Sequence, residues 1–202
     1  MTWNDISLNK YNEVKDVFLI PEYSDEDRLI LEIKILFGVD ALKLKKSELD
    51  KYINEITFLG EKVPKMKVKN EYNLGGNIYT LKKELKDITV AQWIDFQNFL
   101  KEGADTDNYA KLLSVFFFPK GEEEYAEGYD IEQVRDDIGK FLSIADATSI
   151  ASFFLRYRRA LSIRFLLFTR RETLKAPLTW KQRRKVKKEF RKLIKATLFL
   201  GA

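Results

Sequence analysis

The sequence predicts a mainly α-helical chain: two related three-helix units joined by a β-hairpin, followed by a C-terminal basic amphipathic helix. Three observations predict it. A capped amphipathic phrase, DISLNKYNEV at residues 5–14, returns as DITVAQWIDF at residues 87–96. A Gly75-Gly76 pair sits between two short runs of strand-forming residues. Residues 156–202 hold sixteen Lys or Arg against two acids, net +14, while residues 1–155 hold 20 basic and 29 acidic residues, net −9. These divisions give a first helical unit at 1–62, a hairpin connection at 63–86, a second helical unit at 87–171 and a basic arm at 172–202.

The first helix of each unit opens on a hydroxyl. Ser7 and Thr89 read as N-caps, because a side-chain oxygen there accepts a hydrogen bond from an otherwise unpaired N–H of the first turn. Ile6 and Ile88 precede the caps, and Tyr11 and Trp93 follow four residues after them, the spacing of a hydrophobic staple. Thr89 also has Gln92 three residues on, which completes a capping box; Ser7 has Lys10 there. Leu8, Tyr11, Val14 and Phe18, and Val90, Trp93, Phe96 and Leu100, then recur at helical spacing.

The second segments also match. SDEDRLILEIKILFG (24–38) and ADTDNYAKLLSVFFF (104–118) each start with acids, favourable at the positive end of a helix dipole, and continue as an apolar helix. A third pair follows, SELDKYINEITFL (47–59) and SIADATSIASFFL (143–155). Each begins Ser-x-x-Asp, a capping-box variant that makes Ser47 (with Asp50) and Ser143 (with Asp146) expected caps, and closes on Phe-Leu. The offset between copies grows from 82 to 96 residues, and PKGEEEYAEGYD (119–130), with its Pro and two Gly, reads as the inserted loop. The repeat is one of a whole supersecondary unit.

Between the units, Val68, Tyr72, Ile78, Tyr79 and Leu81 flank NLGGN. The Gly pair supplies the positive φ of a tight hairpin turn. A phosphate-cradling loop needs a GxGxxG or GKS/T context and a helix opening on it, and this stretch has neither.

In the arm, Pro177 interrupts the chain and Thr179, with Gln182 three residues on, reads as the cap of a last helix. Val186, Phe190, Leu193 and Thr197 form one helical stripe with Ile194 and Leu198 beside it, and Lys and Arg fill the rest. The candidate partner-binding residues are Trp180, Arg183, Arg184, Lys187, Lys188, Phe190, Arg191, Leu193, Ile194 and Leu198. Such a helix suits an acidic protein surface, nucleic acid or an anionic membrane surface. Its apolar content favours docking on protein, with nucleic-acid contact the second reading. The preceding run FFLRYRRALSIRFLLFTRR (153–171) places Phe154, Tyr157, Leu161, Phe165 and Phe168 at near-helical spacing, a continuing core helix with an arginine-rich outer face.

Composition narrows the chemistry. The chain has 202 residues, 45% hydrophobic and 13% aromatic, enough to bury a core. It has neither Cys nor His. That excludes a disulfide scaffold, a Cys/His zinc site and any Ser-His-Asp or Cys-His catalytic device. Acid runs at 25–27, 122–124 and 136–137 are the remaining metal candidates, and they read as helix starts or solvated loops. No apolar run reaches the length of a membrane span, and the first residues lack the pattern of a secretory leader. The expectation is a non-catalytic protein without cofactor or metal.

The order of motifs resembles a known group. MTWNDIS, LKKSELDKYINEITFL, a lysine-rich hairpin, DITVAQWIDFQNFLKEG, AKLLSVFFFPKG, EGYDIEQVRDDI and ADATSIASFFL resemble, over about residues 1–155, small proteins encoded near the structural genes of tailed phages of Bacteroidales, including crAss-like phages. The most specific stretch is ITVAQWIDFQNFLKEG through EGYDIE. The resemblance implies a virion or assembly role, with other phage structural proteins or further copies of this chain as partners. The implied location is the virion, and the host cytoplasm during assembly. It carries no site residues.

Overall fold

The structure is a computed structural model that describes residues 1–84, 88–121, 130–177 and 179–199, without the helix side chains of 161, 164, 165, 168, 172 and 197–199. They fall into two compact units, Met1–Ala151 and Ser152–Ala202. The boundary lies inside one long helix, where sequence spacing puts divisions at 62/63, 86/87 and 171/172. Residues 152–155 are uncharged, so the first unit carries net −9 and the second +14.

The first unit is mostly helical. Ser7 caps α1 (Leu8–Leu19), its hydroxyl oxygen accepting from Lys10 N at 3.4 Å. Ser24 and Asp27 form a reciprocal capping box at the start of α2 (Asp25–Phe37), and Gly38 ends it in the left-handed conformation, φ 71°. After a 3₁₀ turn at Ala41–Lys43 comes α3 (Lys46–Ile56), then a second 3₁₀ turn at Thr57–Gly60. The cap of α3 is Lys45 rather than Ser47. Lys45 has the extended backbone a cap requires, and its N–H donates to Glu48 Oε2 at 2.9 Å, which leaves Ser47 inside the first turn.

The hairpin forms as the Gly pair predicts: β1 (Glu71–Leu74) and β2 (Asn77–Leu81) pair antiparallel with Tyr72 opposite Tyr79. Gly75 (φ 63°) and Gly76 (φ 97°) are both left-handed, the combination of a two-residue turn whose twist suits a hairpin. Tyr72, Leu74, Tyr79 and Leu81 are buried, while Ile78 is exposed, as the two-residue side-chain period demands.

Thr89 and Gln92 complete the predicted capping box on α4 (Val90–Glu102). A 3₁₀ turn at Thr106–Asn108 leads into α5 (Tyr109–Ser114). The apolar helix expected across 104–118 therefore stops early. Phe117–Pro119 is β3, which pairs antiparallel with β2 and makes a three-stranded sheet in the order β1-β2-β3. The run Val115–Phe118 is buried, and its backbone completes the second edge of β2: Lys82 N donates to Phe116 O at 2.9 Å. Then α6 (Ile131–Phe141), capped by Asp130, stands between α5 and α7 (Ile144–Thr173), so the second half carries a strand and a helix with no counterpart in the first.

Two predicted stripes rotate in the fold. Phe18 and Val90 are 52% and 77% exposed; the inward residues of α1 are Leu8, Val14 and Val17. The core gathers Ile6, Ile33, Leu36, Phe96, Leu112, Phe116, Ile138 and Ile150. α1 packs on α2 and α6, and α5 packs on α4 and α6. Gly139 permits the α1–α6 approach, since a Cβ there would lie 2.5 Å from Asn9 Oδ1. Phe96 meets Phe116 edge-on at 5.0 Å, and Tyr72 meets Phe117 at 5.4 Å. The caps of α1 and α7 join in an isolated antiparallel bridge, Ser7 with Ser143: Leu8 N donates to Leu142 O at 3.0 Å and Ile144 N to Ile6 O at 2.9 Å. Ser143 caps α7 as predicted, its Oγ accepting from Asp146 N at 3.1 Å. The Phe-Leu ends of the third repeat pair part company: Phe58-Leu59 lies in a 3₁₀ turn and Phe154-Leu155 lies within α7.

The second unit contains the later turns of α7 and α8 (Trp180–Phe199). Phe154 is buried and Tyr157 is 37% exposed; the side chains of Leu161, Phe165 and Phe168 lie outside the described set. Among the described residues no helix is long and apolar enough to cross a membrane.

Candidate partner-binding face

The helix that carries the predicted face is capped locally. Thr179 Oγ1 accepts from Gln182 N at 3.3 Å, and Gln182 Oε1 accepts from Thr179 N at 2.9 Å. The box satisfies two of the donors a helix start leaves open, and it fixes where α8 begins. Nine Lys or Arg and one acid, Glu189, then occupy Trp180–Phe199.

Helical geometry sorts these residues into two adjoining stripes. Val186, Phe190 and Ile194 are half-buried, and Leu193 is 49% exposed. Arg183, Lys187 and Arg191, at four-residue steps, run along the edge of that apolar stripe and are exposed. Arg184 and Lys188 stand further round and are exposed. Trp180 is 71% exposed, and the Arg184 guanidinium lies over its ring at 5.5 Å. That contact places an exposed cation beside an aromatic face, and a guanidinium so placed can also meet a carboxylate or phosphate. Lys192 pairs with Glu189 at 3.4 Å. The backbone of Leu198 is helical; its side chain lies outside the described set. Nine of the ten predicted residues are thus placed on one exposed or half-exposed helix, with cations beside apolar groups.

Sequence reasoning missed two concavities. In the second unit, Leu167, Arg170, Arg171, Leu174 and Lys175 line a shallow one of about 330 Å³. The run TRRETLK already places three cations within six residues there. In the first unit, a concavity of about 470 Å³ lies beside β1, with Lys69, Tyr72, Ser143 and Asp146 among its lining. The Tyr72 hydroxyl oxygen accepts from Lys69 N at 2.9 Å. Burial, with a smaller contribution from the charge of Asp146, pushes Tyr72 up to about 12, so this phenol stays protonated at neutral pH. Asp146 Oδ2 accepts from Ser143 Oγ at 3.2 Å as part of the α7 cap.

Four acids of these runs have structural partners. Asp27 serves the α2 capping box, and the Ser24 hydroxyl, then the Ser24 N–H, hold its carboxyl below the usual range. Asp25 pairs with Arg28 at 3.4 Å, and Asp136 with Lys140 at 3.0 Å. Asp137 is buried and accepts from Tyr79 and Gln133. Residues 122–124 lie outside the described set. Among the described residues no group of three or more acids is placed to hold a metal ion.

No known protein-family model matches this chain, and no curated protein or solved structure is significantly similar to it.

Proposed function

We propose that this chain is a bacteriophage virion structural protein of the tail or head–tail connector region, mounted on that region or carried inside it, and working by protein–protein docking. The resemblance of residues 1–155 to proteins of crAss-like and related phages supplies the setting. The observation that carries the docking itself is the segregation of charge: an acidic first unit, net −9, and a second unit, net +14, whose last helix sets cations along an apolar stripe. Charge arranged this way steers association and fixes orientation, and the apolar stripe supplies contact area that bare phosphate binding does not use. The proposal assigns the chain no catalytic role.

A chain ending at Thr173 tests it, because α7 then stays whole. The shortened protein is expected to keep its helical circular dichroism and to be missing from purified particles by mass spectrometry, whereas the full chain is present. Incorporation at the full-length level overturns the docking role of α8. Full-length chain absent from finished particles, with a tail component co-purifying from infected cells, identifies an assembly chaperone instead.

The nine cations of α8 favour one further reading, a packaged protein that binds nucleic acid. In that case affinity for duplex DNA falls steeply with salt and disappears in the shortened chain. Absence of binding at low salt removes it.

A further inference from the structure

The acceptor for α8 is sought among surfaces that pair exposed apolar groups with negative charge, the complement of its own pattern. The first unit offers such a place at the α1–α2 corner. At the end of α1, Phe18, Leu19 and Ile20 are 52%, 69% and 37% exposed in immediate succession. Apolar residues exposed singly are ordinary, but three in a row at a helix end form a patch that water does not favour. Asp16, Glu22, Asp25 and Glu26 surround it in sequence and are all exposed. Over residues 16–28 the chain carries five acids and one cation, Arg28.

Arg28 shows what the patch accepts. Its guanidinium lies 6.0 Å from the Phe18 ring centroid, donates to Ile20 O at 3.4 Å and pairs with Asp25 at 3.4 Å. One cation of this chain therefore already uses ring, carbonyl and carboxylate together. Glu22 and Glu26 have no ion pair among the described residues, and they remain for an incoming cation.

We infer that the α1–α2 corner, Asp16–Glu26, is the docking surface for the α8 helix of a second copy of this chain. Phe190, Leu193 and Ile194 would cover Phe18–Ile20, while Arg183, Lys187 and Arg191 along the stripe edge face Glu22, Glu26 and Asp16. The occupant is a second copy because complementarity runs in both terms, apolar against apolar and net +8 on α8 against net −4 on the corner. A copy offers one donor helix and one acceptor corner, so the contact joins two different surfaces and lets copies assemble in series or exchange helices in a closed ring. The inference rests on the docking reading above and names its partner.

Sedimentation velocity on the full chain over a dilution series at low salt tests it. The expected result is concentration-dependent self-association that weakens with added salt. An acceptor variant, E22K with E26K, and a donor variant, K187E with R191E, are each expected to sediment as monomers with unchanged circular dichroism, since all four positions are exposed. Mixing the two variants is expected to restore association, because Lys on one corner then faces Glu on the other's helix. L19S is expected to weaken self-association about tenfold through lost apolar contact. A full chain that is monomeric at every concentration, or an acceptor variant that associates like the parent, overturns the inference. A monomeric chain that nevertheless needs residues 174–202 to enter particles would leave the docking function standing with a different acceptor.

Discussion

The Tyr79 hydroxyl donates a 2.5 Å hydrogen bond to Asp137 Oδ2, joining the middle of β2 to the buried face of α6 across 58 residues of sequence. Gln133 Nε2 donates to the other oxygen, Oδ1, at 2.9 Å. A buried carboxylate is tolerated only when donors surround it; Gln133 serves it from within α6, and Tyr79 ties the hairpin to a helix that the first half of the chain lacks. Y79F removes one charge-assisted donor while keeping the ring. It is expected to lower unfolding free energy by about 1.5–3 kcal/mol. Urea titrations of Y79F, D137N and the double variant measure the coupling, and additive costs would show that the bond is energetically idle.

Gly75 faces α6 at the same corner. A Cβ there would collide with the Phe141 ring at Cε2, and the residue is also left-handed. G75A is expected to cost about 1–2 kcal/mol from the backbone term alone, plus displacement of the ring. Phe141 is 51% exposed, so F141A should be mild by itself and should recover the steric part in the G75A background. Chemical denaturation of the four proteins separates the two terms; no recovery in the double variant would assign the whole cost to backbone conformation.

Gln92 is fully buried and serves two ends of the second half. Its Oε1 accepts from Thr89 N at 2.8 Å, and its Nε2 donates to Val115 O at 3.1 Å. Losing the Thr89 hydroxyl alone is expected to cost about 1 kcal/mol. Q92A also strands the carbonyl that leads into β3, and it should cost about 1–3 kcal/mol beyond that. Thermal melts showing T89A and Q92A equal would contradict the second role.

Glu32 sits on the buried face of α2, 7% exposed, and burial raises its pKa. The sign follows from proton counting: the folded state holds a proton that the unfolded state has released, so this contribution is complete below the ordinary carboxylate value and is lost as pH rises through the raised folded value. E32Q is expected to be more stable than the parent at about pH 7, with the advantage closing as the solution is acidified. The alkaline counterpart is Tyr72, whose contribution is lost as pH rises from its ordinary value toward about 12. Urea midpoints against pH for E32Q and the parent check the first, and parallel curves would show that Glu32 stays solvated.

Much of the local chemistry was legible because it acts within four residues. The caps at Ser7, Thr89, Ser143 and Thr179 and the Gly75-Gly76 turn depend only on neighbours along the chain. The candidate face on α8 was legible for the same reason, since helical spacing alone lines Arg183, Lys187 and Arg191 beside Phe190 and Ile194. Lys45 replaced Ser47 as a cap because two overlapping acidic partners, Glu48 and Asp50, were available, and backbone geometry chose between them.

The sequence by itself determined a mainly helical chain, its hairpin turn and its division into a −9 segment and a +14 segment, because periodicity, capping and charge are local or additive properties. Only the tertiary structure decided that Phe117–Pro119 leaves its helix to pair with β2, that Tyr79 of β2 meets the buried Asp137 of α6, and that Ser7 meets Ser143. Those outcomes depend on which strand edge is open and which buried polar group lacks donors. Both are properties of residues brought together from dozens of positions apart, where the cost of closing the chain is weighed against the bonds that closure completes.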